Sequence, residues 1–232
     1  MKIPENNFAL EILPPAYEDA GKRIRFDAGT LLMTAYEYPD CPDFPRNILC
    51  FSRIWLLREQ VSIGETILAP DLAPQWIAAL MAWGAQVDFQ EGEQLIDLSN
   101  YLHRAGSYPG KIAGLQIQSQ VPGRTWGEAH LGHTSIGSPI VAAMSVIDFP
   151  DDIVIQARLA LTGVWRESAR LAESVDYLLG SSINHQRILT VASLVRYEVT
   201  PQDDFLCSSG YRSEIAGEMT RRALEMCMEG NN

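Results

Sequence analysis

The sequence lacks the short motifs that mark most hydrolases, metalloproteases and nucleotide-binding enzymes. Its 232 residues contain no G-x-S-x-G, H-E-x-x-H, Walker A or G-x-G-x-x-G pattern. The four cysteines form no C-x-x-C pair, fit no zinc template and give no support for iron–sulfur ligation. Because scattered single cysteines are typical of reduced thiols, the sequence favours a cytoplasmic protein; they are Cys41, Cys50, Cys207 and Cys227.

Basic residues and long apolar runs are also scarce. Lys and Arg number 18 against 29 Asp and Glu, which gives a formal net charge of −11. This charge disfavours partners held by phosphate neutralisation, so we expect neither nucleic acid nor a membrane surface as a partner. No apolar run approaches the roughly 18 residues of a membrane span, and the N-terminus lacks the apolar region of a signal peptide. The length fits one large domain or two small ones.

The first half of the chain predicts few long elements. Prolines are concentrated in the first 50 residues, so helices longer than two turns are not expected there. The first regular helix is predicted over residues 71–84, with Asp71 as its cap and Gly84 at its end. Strands are predicted at residues 24–26, 47–51, 85–89 and 112–117, and a short helix or irregular segment at residues 95–102.

The second half is more regular and predicts an α+β module. Residues 118–124 contain a Pro-Gly pair and are interpreted as a linker. Residues 140–149 and 153–164 form two strand-like runs whose connection, Pro-Asp-Asp, has turn chemistry, so they predict a hairpin. Helices are predicted at residues 166–179, 185–197 and 211–228, on one face of the sheet.

Two clusters of titratable residues have alternative interpretations. His130 and His133 lie three residues apart with Glu128 nearby, so on a helix they would share a face and could hold a metal ion. Nearby glycines break helical continuity, which favours a polar loop leading into the next strand. The adjacent Asp203 and Asp204 are either a pair of catalytic carboxylates or the cap of the last helix.

Two glycine-containing loops are the strongest candidates for ligand binding. The first loop (residues 27–30) reads Asp-Ala-Gly-Thr and follows a predicted strand. The second loop (residues 62–66) reads Ser-Ile-Gly-Glu-Thr. Loops of this kind bring backbone N–H groups close to a phosphate, with a hydroxyl as an extra donor, although each is also typical of an ordinary turn.

The second half resembles a known family through several motifs in order. Residues 157–164 read Ala-Arg-Leu-Ala-Leu-Thr-Gly-Val, residues 208–212 read Ser-Ser-Gly-Tyr-Arg and residues 221–224 read Arg-Arg-Ala-Leu, with an Asp-Asp pair at 203–204. This order is similar to the C-terminal domain of the FAD-binding medium subunit of molybdenum hydroxylases. That family includes the carbon monoxide dehydrogenase flavoprotein and the xanthine dehydrogenase FAD subunit. The similarity covers about residues 140–229.

The first half resembles the FAD domain of the same family. The family's two phosphate-binding loops read Ala-Gly-Gly-(Thr/His)-x and Thr-Ile-Gly-Gly-(Asn/Asp), and the two loops described above are similar to them. The resemblance implies that both loops hold the FAD phosphates and that Asp71 bonds a ribose or caps its helix. The implied cofactor-binding residues are Ala28, Gly29, Thr30, Ser62, Ile63, Gly64, Glu65, Thr66 and Asp71. The resemblance implies no catalytic residue and no metal ligand in this chain.

The chain also departs from the family pattern. The first loop lacks one glycine, and Glu65 stands where the second loop has a glycine. A glutamate adds bulk and negative charge beside a pyrophosphate, and no nearby Lys or Arg in the sequence compensates. Most of the long helical stretch between the family's loops is absent, and residues 14–22 are too short for its opening helix.

The resemblance leaves two functional hypotheses. In the first, the chain is an FAD-dependent oxidoreductase subunit that relays electrons between iron–sulfur clusters of a partner and an external acceptor. In the second, it is a flavin-free relative that acts as a structural, assembly or interaction subunit. The implied partners are molybdopterin-containing and iron–sulfur subunits of a hydroxylase-type complex, or a second copy of the chain. The expected fold is α+β, with a reduced FAD-binding domain (residues 1–122) and a C-terminal domain of antiparallel sheet and helices (residues 123–232).

Overall fold

The computed structural model describes residues 12–13, 22–50, 52–90, 95–104, 108, 110–132 and 139–230. The strands are β1 (Ile12–Leu13), β2 (Arg23–Asp27), β3 (Gln86–Phe89), β4 (Ile96–Asp97), β5 (Ile112–Gln118), β6 (Arg124–Leu131), β7 (Val141–Asp148), β8 (Gln156–Thr162) and β9 (Ala169–Leu171). The α-helices are α1 (Leu32–Glu37), α2 (Asp43–Ile48), α3 (Ser52–Leu57), α4 (Ile63–Leu68), α5 (Pro74–Trp83), α6 (Leu98–His103), α7 (His185–Glu198) and α8 (Ser209–Glu229). Short 3-10 helices lie at Pro70–Leu72, Pro150–Asp152 and Glu173–Leu178.

The strands form two antiparallel sheets, one in each half of the chain. The first sheet has the order β1-β2-β5-β3-β4 and, with α1 to α6, forms what we term the N-terminal lobe. The second has the order β6-β7-β8-β9 and, with α7 and α8, forms the C-terminal lobe. The predicted α+β class is therefore confirmed. Among the described residues, no helix is both long and apolar enough to cross a lipid bilayer.

Helix α5 is the central element of the N-terminal lobe. Pro74 is its first residue, so the helix begins three residues after the predicted start at residue 71. Gly84, with φ of 86°, ends it in the left-handed conformation, so the predicted end is confirmed. The prediction that Asp71 caps this helix is wrong. Asp71 lies in the preceding 3-10 helix, and the N-cap position belongs to Ala73, whose side chain makes no capping bond.

The C-terminal sheet is covered on both faces, which corrects the prediction of helices on one face alone. All eight residues of β7 are buried. One face of β7, including Ala143 and Ile147, packs in the core with α7 and α8, whereas Met144 and Val146 on the other face pack in the core that contains α5. The lobes therefore share an interface in which α5 lies against the second sheet.

Two segments have a different secondary structure from the one predicted, because tertiary contacts determine their conformation. A strand is predicted at residues 47–51, but residues 43–48 form α2 and residue 51 lies outside the described residues. The helix begins after Pro42, with Asp43 in its first turn. The helix predicted at residues 166–179 is instead β9 followed by a 3-10 helix. That 3-10 helix begins where the Glu198 carboxylate accepts hydrogen bonds from the amides of Glu173 and Ser174, at 2.7 and 2.9 Å.

Strand β6 occupies residues interpreted from the sequence as linker and polar loop. Its Gly127 lies so close to α8 that a Cβ there would be 2.0 Å from the carbonyl oxygen of Ala223. Gly127, which in the sequence indicates a break in a helix, is therefore required by the packing of β6 against α8. His130 lies on this strand rather than on a helix, and His133 lies outside the described residues.

The hairpin and the last two helices agree with the sequence. Strands β7 and β8 are joined by a tight turn in which Asp151 and Asp152 adopt positive φ angles of 56° and 62°. The side chain of Asn184 caps α7, and the side chain of Ser208 caps α8. These elements bring the C-terminal motifs together and fix the surface against which the N-terminal lobe packs.

Candidate functional site

The two glycine loops lie side by side. The amide of Gly64 donates to the carbonyl oxygen of Ala28 at 2.8 Å, and the amide of Ile63 donates to that of Thr30 at 2.8 Å. An isolated antiparallel bridge between Leu31 and Ser62 continues this contact. The resemblance implies one shared site from these two loops, and their direct pairing is compatible with that arrangement.

Gly64 is required by this pairing without any ligand. A Cβ at position 64 would lie 2.8 Å from the carbonyl oxygen of Ala28 and 3.0 Å from its Cβ. Such distances are shorter than normal contacts, so any larger residue would push the two loops apart. The glycine therefore has a structural role that explains its presence in the second loop.

The backbone amides of the second loop are all used within the chain. Besides the bonds of Ile63 and Gly64, the amide of Ser62 donates to Glu65 Oε2 at 2.7 Å, and the amide of Glu65 donates to Ser62 Oγ at 3.3 Å. The amide of Thr66 donates to the carbonyl oxygen of Ser62 at 3.2 Å, and its hydroxyl donates to that of Ile63 at 2.7 Å. Five successive amides, the groups with which such a loop would hold a phosphate, thus already have acceptors.

Glu65 takes the position of an anion at the start of α4. Its carboxylate and the Ser62 side chain form a reciprocal capping box. The hydrogen bonds from the amide and hydroxyl of Ser62 lower the pKa of Glu65, whose side chain is exposed. A negative charge is therefore already present where the helix dipole and the free amides would otherwise attract a phosphate.

The first loop has few backbone amides available to a ligand. The amide of Ala28 donates to the carbonyl oxygen of Ala113 at 2.8 Å, and that of Thr30 donates to the carbonyl oxygen of Asp27 at 2.9 Å. Thr30 is buried, whereas Gly29 is exposed and a Cβ there would meet no atom within 4 Å. Gly29 is the position of this loop that remains accessible to a ligand.

Asp71 joins the two lobes instead of facing the glycine loops. Its carboxylate accepts a hydrogen bond from the hydroxyl of Ser168, which precedes β9. A cavity of about 470 Å³ lies next to this contact, between the end of α4, α6 and β9. The volume is within the range of small-molecule sites. Its lining is mixed and includes Ile67, Leu68, Met81, Leu102, His103 and Arg170.

Within the described part of the chain, the residues of the two glycine loops do not fit the pyrophosphate of FAD in this arrangement. A cradle for two phosphates needs several unpaired donors and positive charge. The second loop presents satisfied amides and a carboxylate, and the first presents the exposed Gly29. The cavity beside α4 gives room for a ring system but supplies no phosphate cradle.

The sequence held a signal for this outcome. Ser62-Ile63-Gly64-Glu65 matches the pattern Ser/Thr-x-x-Glu, which marks a capping box at a helix N-terminus. From the sequence, Glu65 is expected to repel a pyrophosphate, and in the structure its carboxylate also accepts the hydrogen bond of the Ser62 amide. The pairing of the loops through Ala28 and Thr30 has no comparable local signal, because it depends on tertiary contact.

The two titratable clusters have structural roles in the described part of the chain. His130 Nδ1 lies 3.1 Å from Glu128 Oε2, which raises the pKa of His130. Asp203 accepts from the amide of Ser209 at 2.5 Å, and Asp204 accepts from the Arg212 guanidinium at 2.5 Å. Of the two alternatives for the aspartates, the geometry therefore favours stabilisation of the start of α8. No group of three or more potential metal ligands occurs among the described residues.

Comparison with known proteins finds a family match within the C-terminal lobe. Residues 138–227 match the CO dehydrogenase flavoprotein C-terminal domain. The nicotine 6-hydroxylase medium subunit of Paenarthrobacter nicotinovorans is 22% identical over 174 residues, which are 72% of this chain and 61% of that protein. The chain thus aligns with about three fifths of the length of this curated relative.

Solved structures extend the similarity to both lobes. A CO dehydrogenase from Oligotropha carboxidovorans superposes with a TM-score of 0.78 at 19% identity, covering 92% of this chain and 78% of that one. A quinoline 2-oxidoreductase from Pseudomonas putida 86 gives a TM-score of 0.75 at 19% identity, covering 94% and 78%. At this identity the structures establish the fold. The resemblance stated from the sequence is confirmed as a similarity to flavoprotein medium subunits.

Proposed function

We propose that this chain, whose residues 138–227 match the CO dehydrogenase flavoprotein C-terminal domain, is a flavin-free medium subunit of a molybdenum-hydroxylase-type complex. Its role is structural: it holds partner subunits in place instead of relaying electrons. The observation that carries this proposal is the row of satisfied amides at residues 62–66, with Glu65 as their internal anion. This chain keeps the fold although the amides that would hold a phosphate are already hydrogen-bonded within it. Its function is therefore expected to depend on its surface and not on a bound cofactor.

The surface of the C-terminal lobe supports a docking role. Three aromatic side chains at the connection between α7 and α8 are strongly exposed: Tyr197 at 87%, Phe205 at 94% and Tyr211 at 48%. Exposed aromatic side chains grouped in this way are typical of interaction sites. The occupant we propose is a molybdopterin-containing or iron–sulfur subunit, because the curated relative is named a medium subunit.

The second candidate function is the FAD-dependent electron relay. It is favoured by the pairing of the two glycine loops and by the cavity of about 470 Å³ beside α4. It requires that FAD displace Glu65 from the amide of Ser62. The two candidates therefore differ in one measurable property, the flavin content of the native assembly.

The experiment is purification of the tagged chain from its native host, with molybdenum, iron and acid-released flavin measured in the eluate. We expect molybdenum and iron to elute with the chain in fixed ratio, without flavin bound to this subunit. Phe205→Asp is expected to reduce the recovered metals, whereas Lys111→Gln, an exposed change in the other lobe, leaves them unchanged. Elution without either metal would overturn the assembly role, and one flavin per chain would favour the relay.

A further inference from the structure

A second, smaller cleft lies on the seam between the lobes and is lined by basic and amide side chains. It encloses about 150 Å³ between the end of α5, the first sheet and strands β6 and β8. Three arginines, Arg23, Arg124 and Arg158, line it together with four glutamines, and none of the described lining residues carries a carboxylate. This lining is unusual for a chain with a net charge of −11.

Two of the arginines are held in fixed positions by carboxylates outside the lining. Arg124 makes a bidentate pair with Asp148, both bonds being 2.7 Å long, and Arg158 donates to Asp97 at 2.8 Å. Each also donates to a carbonyl oxygen in the last turn of α5, at 3.2 and 3.3 Å. The guanidinium groups are therefore oriented before any ligand arrives, which lowers the entropic cost of binding.

The cleft also contains polar atoms that have no partner. Arg23 Nε is buried without a hydrogen bond, and Arg23 makes no ion pair among the described residues. Gln116 is 7% exposed, and its Oε1 is likewise buried without a partner. Its amide can present either the oxygen or the NH₂ group to the cleft after a 180° rotation. Buried polar groups left unpaired are destabilising, so a polar guest that pairs with these atoms would stabilise the folded chain.

We propose that this cleft binds a small free oxyanion of the phosphate or sulfate type. Arg23 supplies a positive charge that has no counter-ion among the described residues, and Arg124 and Arg158 add preoriented donors. The volume is similar to that of a cavity that accommodates benzene, so it admits a single oxyanion and excludes a nucleotide or a flavin. The site is separate from the glycine loops and does not depend on the proposed function.

The oxyanion bridges the lobes. Arg23 and Gln116 belong to the first sheet, whereas Arg124 and Arg158 belong to the second. A ligand that contacts both sheets binds the folded chain and not the unfolded one, so it stabilises the folded state as its concentration rises. The predicted consequence is a phosphate-dependent gain in thermal stability.

The test uses the full chain and inorganic phosphate, with sodium chloride at the same ionic strength as the reference. We expect Tm to rise with phosphate concentration beyond the chloride reference, and calorimetric titration to give one site per chain. Arg23→Gln is expected to weaken phosphate binding by about tenfold or more. Lys111→Gln removes the same charge from an exposed position outside the cleft and should leave the phosphate response unchanged.

A second variant, Gln156→Glu, tests the oxyanion site if Arg23→Gln does not fold. Gln156→Glu places a carboxylate at the lining of the cleft, where it acts as an internal anion. We expect this variant to have a higher Tm than the wild type without phosphate and to lose the phosphate response. If phosphate stabilises the wild type no more than chloride does, or if Gln156→Glu responds like the wild type, the oxyanion site is refuted.

Discussion

At the scale of single residues, the proposed loss of flavin binding depends most on Glu65. In the family pattern this place is a glycine, whereas in this chain Glu65 caps the start of α4. The cap is readable from the sequence because Ser62 and Glu65 have the required spacing. What the sequence did not reveal is that the carbonyl oxygens of Ala28 and Thr30 occupy the amides between them.

The contribution of Glu65 to stability is expected to depend on pH. Its pKa is lowered below the ordinary 4.5 by the hydrogen bonds from Ser62, so folding favours the charged form. The stabilisation is therefore complete above the unfolded pKa and is lost as the pH falls through the folded pKa. We predict that the wild type has a higher Tm than Glu65→Gln at pH 7, and that the difference shrinks as the pH falls below 4.5 and the folded carboxylate becomes protonated. A difference independent of pH would contradict a role for the charge.

Arg212 is the residue of the Ser-x-x-Tyr-Arg motif with the largest structural role. It is buried and donates to the carbonyl oxygens of Ile140 and Gly163, at 2.9 and 2.8 Å, as well as to Asp204. The motif thus ties α8 to the ends of β7 and β8.

Replacing Arg212 by methionine leaves two buried carbonyl groups without a donor. We predict a loss of about 2–4 kcal/mol in the free energy of unfolding, measured by urea titration. Arg222→Met is the matched control on the same helix, because Arg222 is largely exposed and pairs with Glu218 at the surface. That control is expected to change stability by less than about 1 kcal/mol. Equal effects of the two substitutions would contradict the assigned role of Arg212.

At the scale of elements, the sequence predicts the helices and strands whose conformation depends on the local residue pattern. The hairpin of β7 and β8 follows from its turn residues, and α7 and α8 follow from helical periodicity and their caps. In α8, Arg212 is buried whereas the neighbouring Tyr211 is exposed. Strand β9 and the 3-10 helix after it were missed, since they depend on the edge of β8 and on Glu198.

The packing of β6 on α8 gives a prediction from two glycines. Gly127→Ala places a Cβ 2.0 Å from the backbone of Ala223, so the helix must move. We expect a loss of about 1–3 kcal/mol, measured by differential scanning calorimetry. Gly210→Ala is the control: it meets no atom within 4 Å and lies in the first turn of α8, so it is expected to be neutral or slightly stabilising. Equal destabilisation by Gly127→Ala and Gly210→Ala would contradict the packing role assigned to Gly127.

At the scale of the whole molecule, the two lobes are bound together by α5. The second sheet contributes Ala142, Met144, Val146 and Ala160 to the core that contains this helix. Polar contacts reinforce the packing, because Arg158 pairs with Asp97 across the interface and the Asp97 pKa is lowered although burial opposes this. The length fits one large domain or two small ones, and the family resemblance implies two, but no local pattern in the sequence indicates how much of the second sheet the first lobe covers.

The predicted division at residue 122 is tested by expressing residues 123–232 alone. This fragment exposes the apolar face of β7 and β8 that α5 covers in the full chain. We expect it to aggregate or to bind hydrophobic dyes, and to lack the cooperative thermal transition of the full chain. A soluble monomer with a sharp transition would instead establish residues 123–232 as an independent domain.

The most direct measurement of the central claim is an equilibrium titration of the purified full chain with FAD, followed by flavin fluorescence. Because the amides of residues 62–66 are satisfied and Glu65 is charged, we predict no saturable binding to the wild type. Glu65→Gly removes the carboxylate and frees the amide of Ser62, so it is expected to bind FAD more tightly than the wild type does. A wild-type chain that binds one FAD, with an affinity equal to that of Glu65→Gly, would contradict the claim.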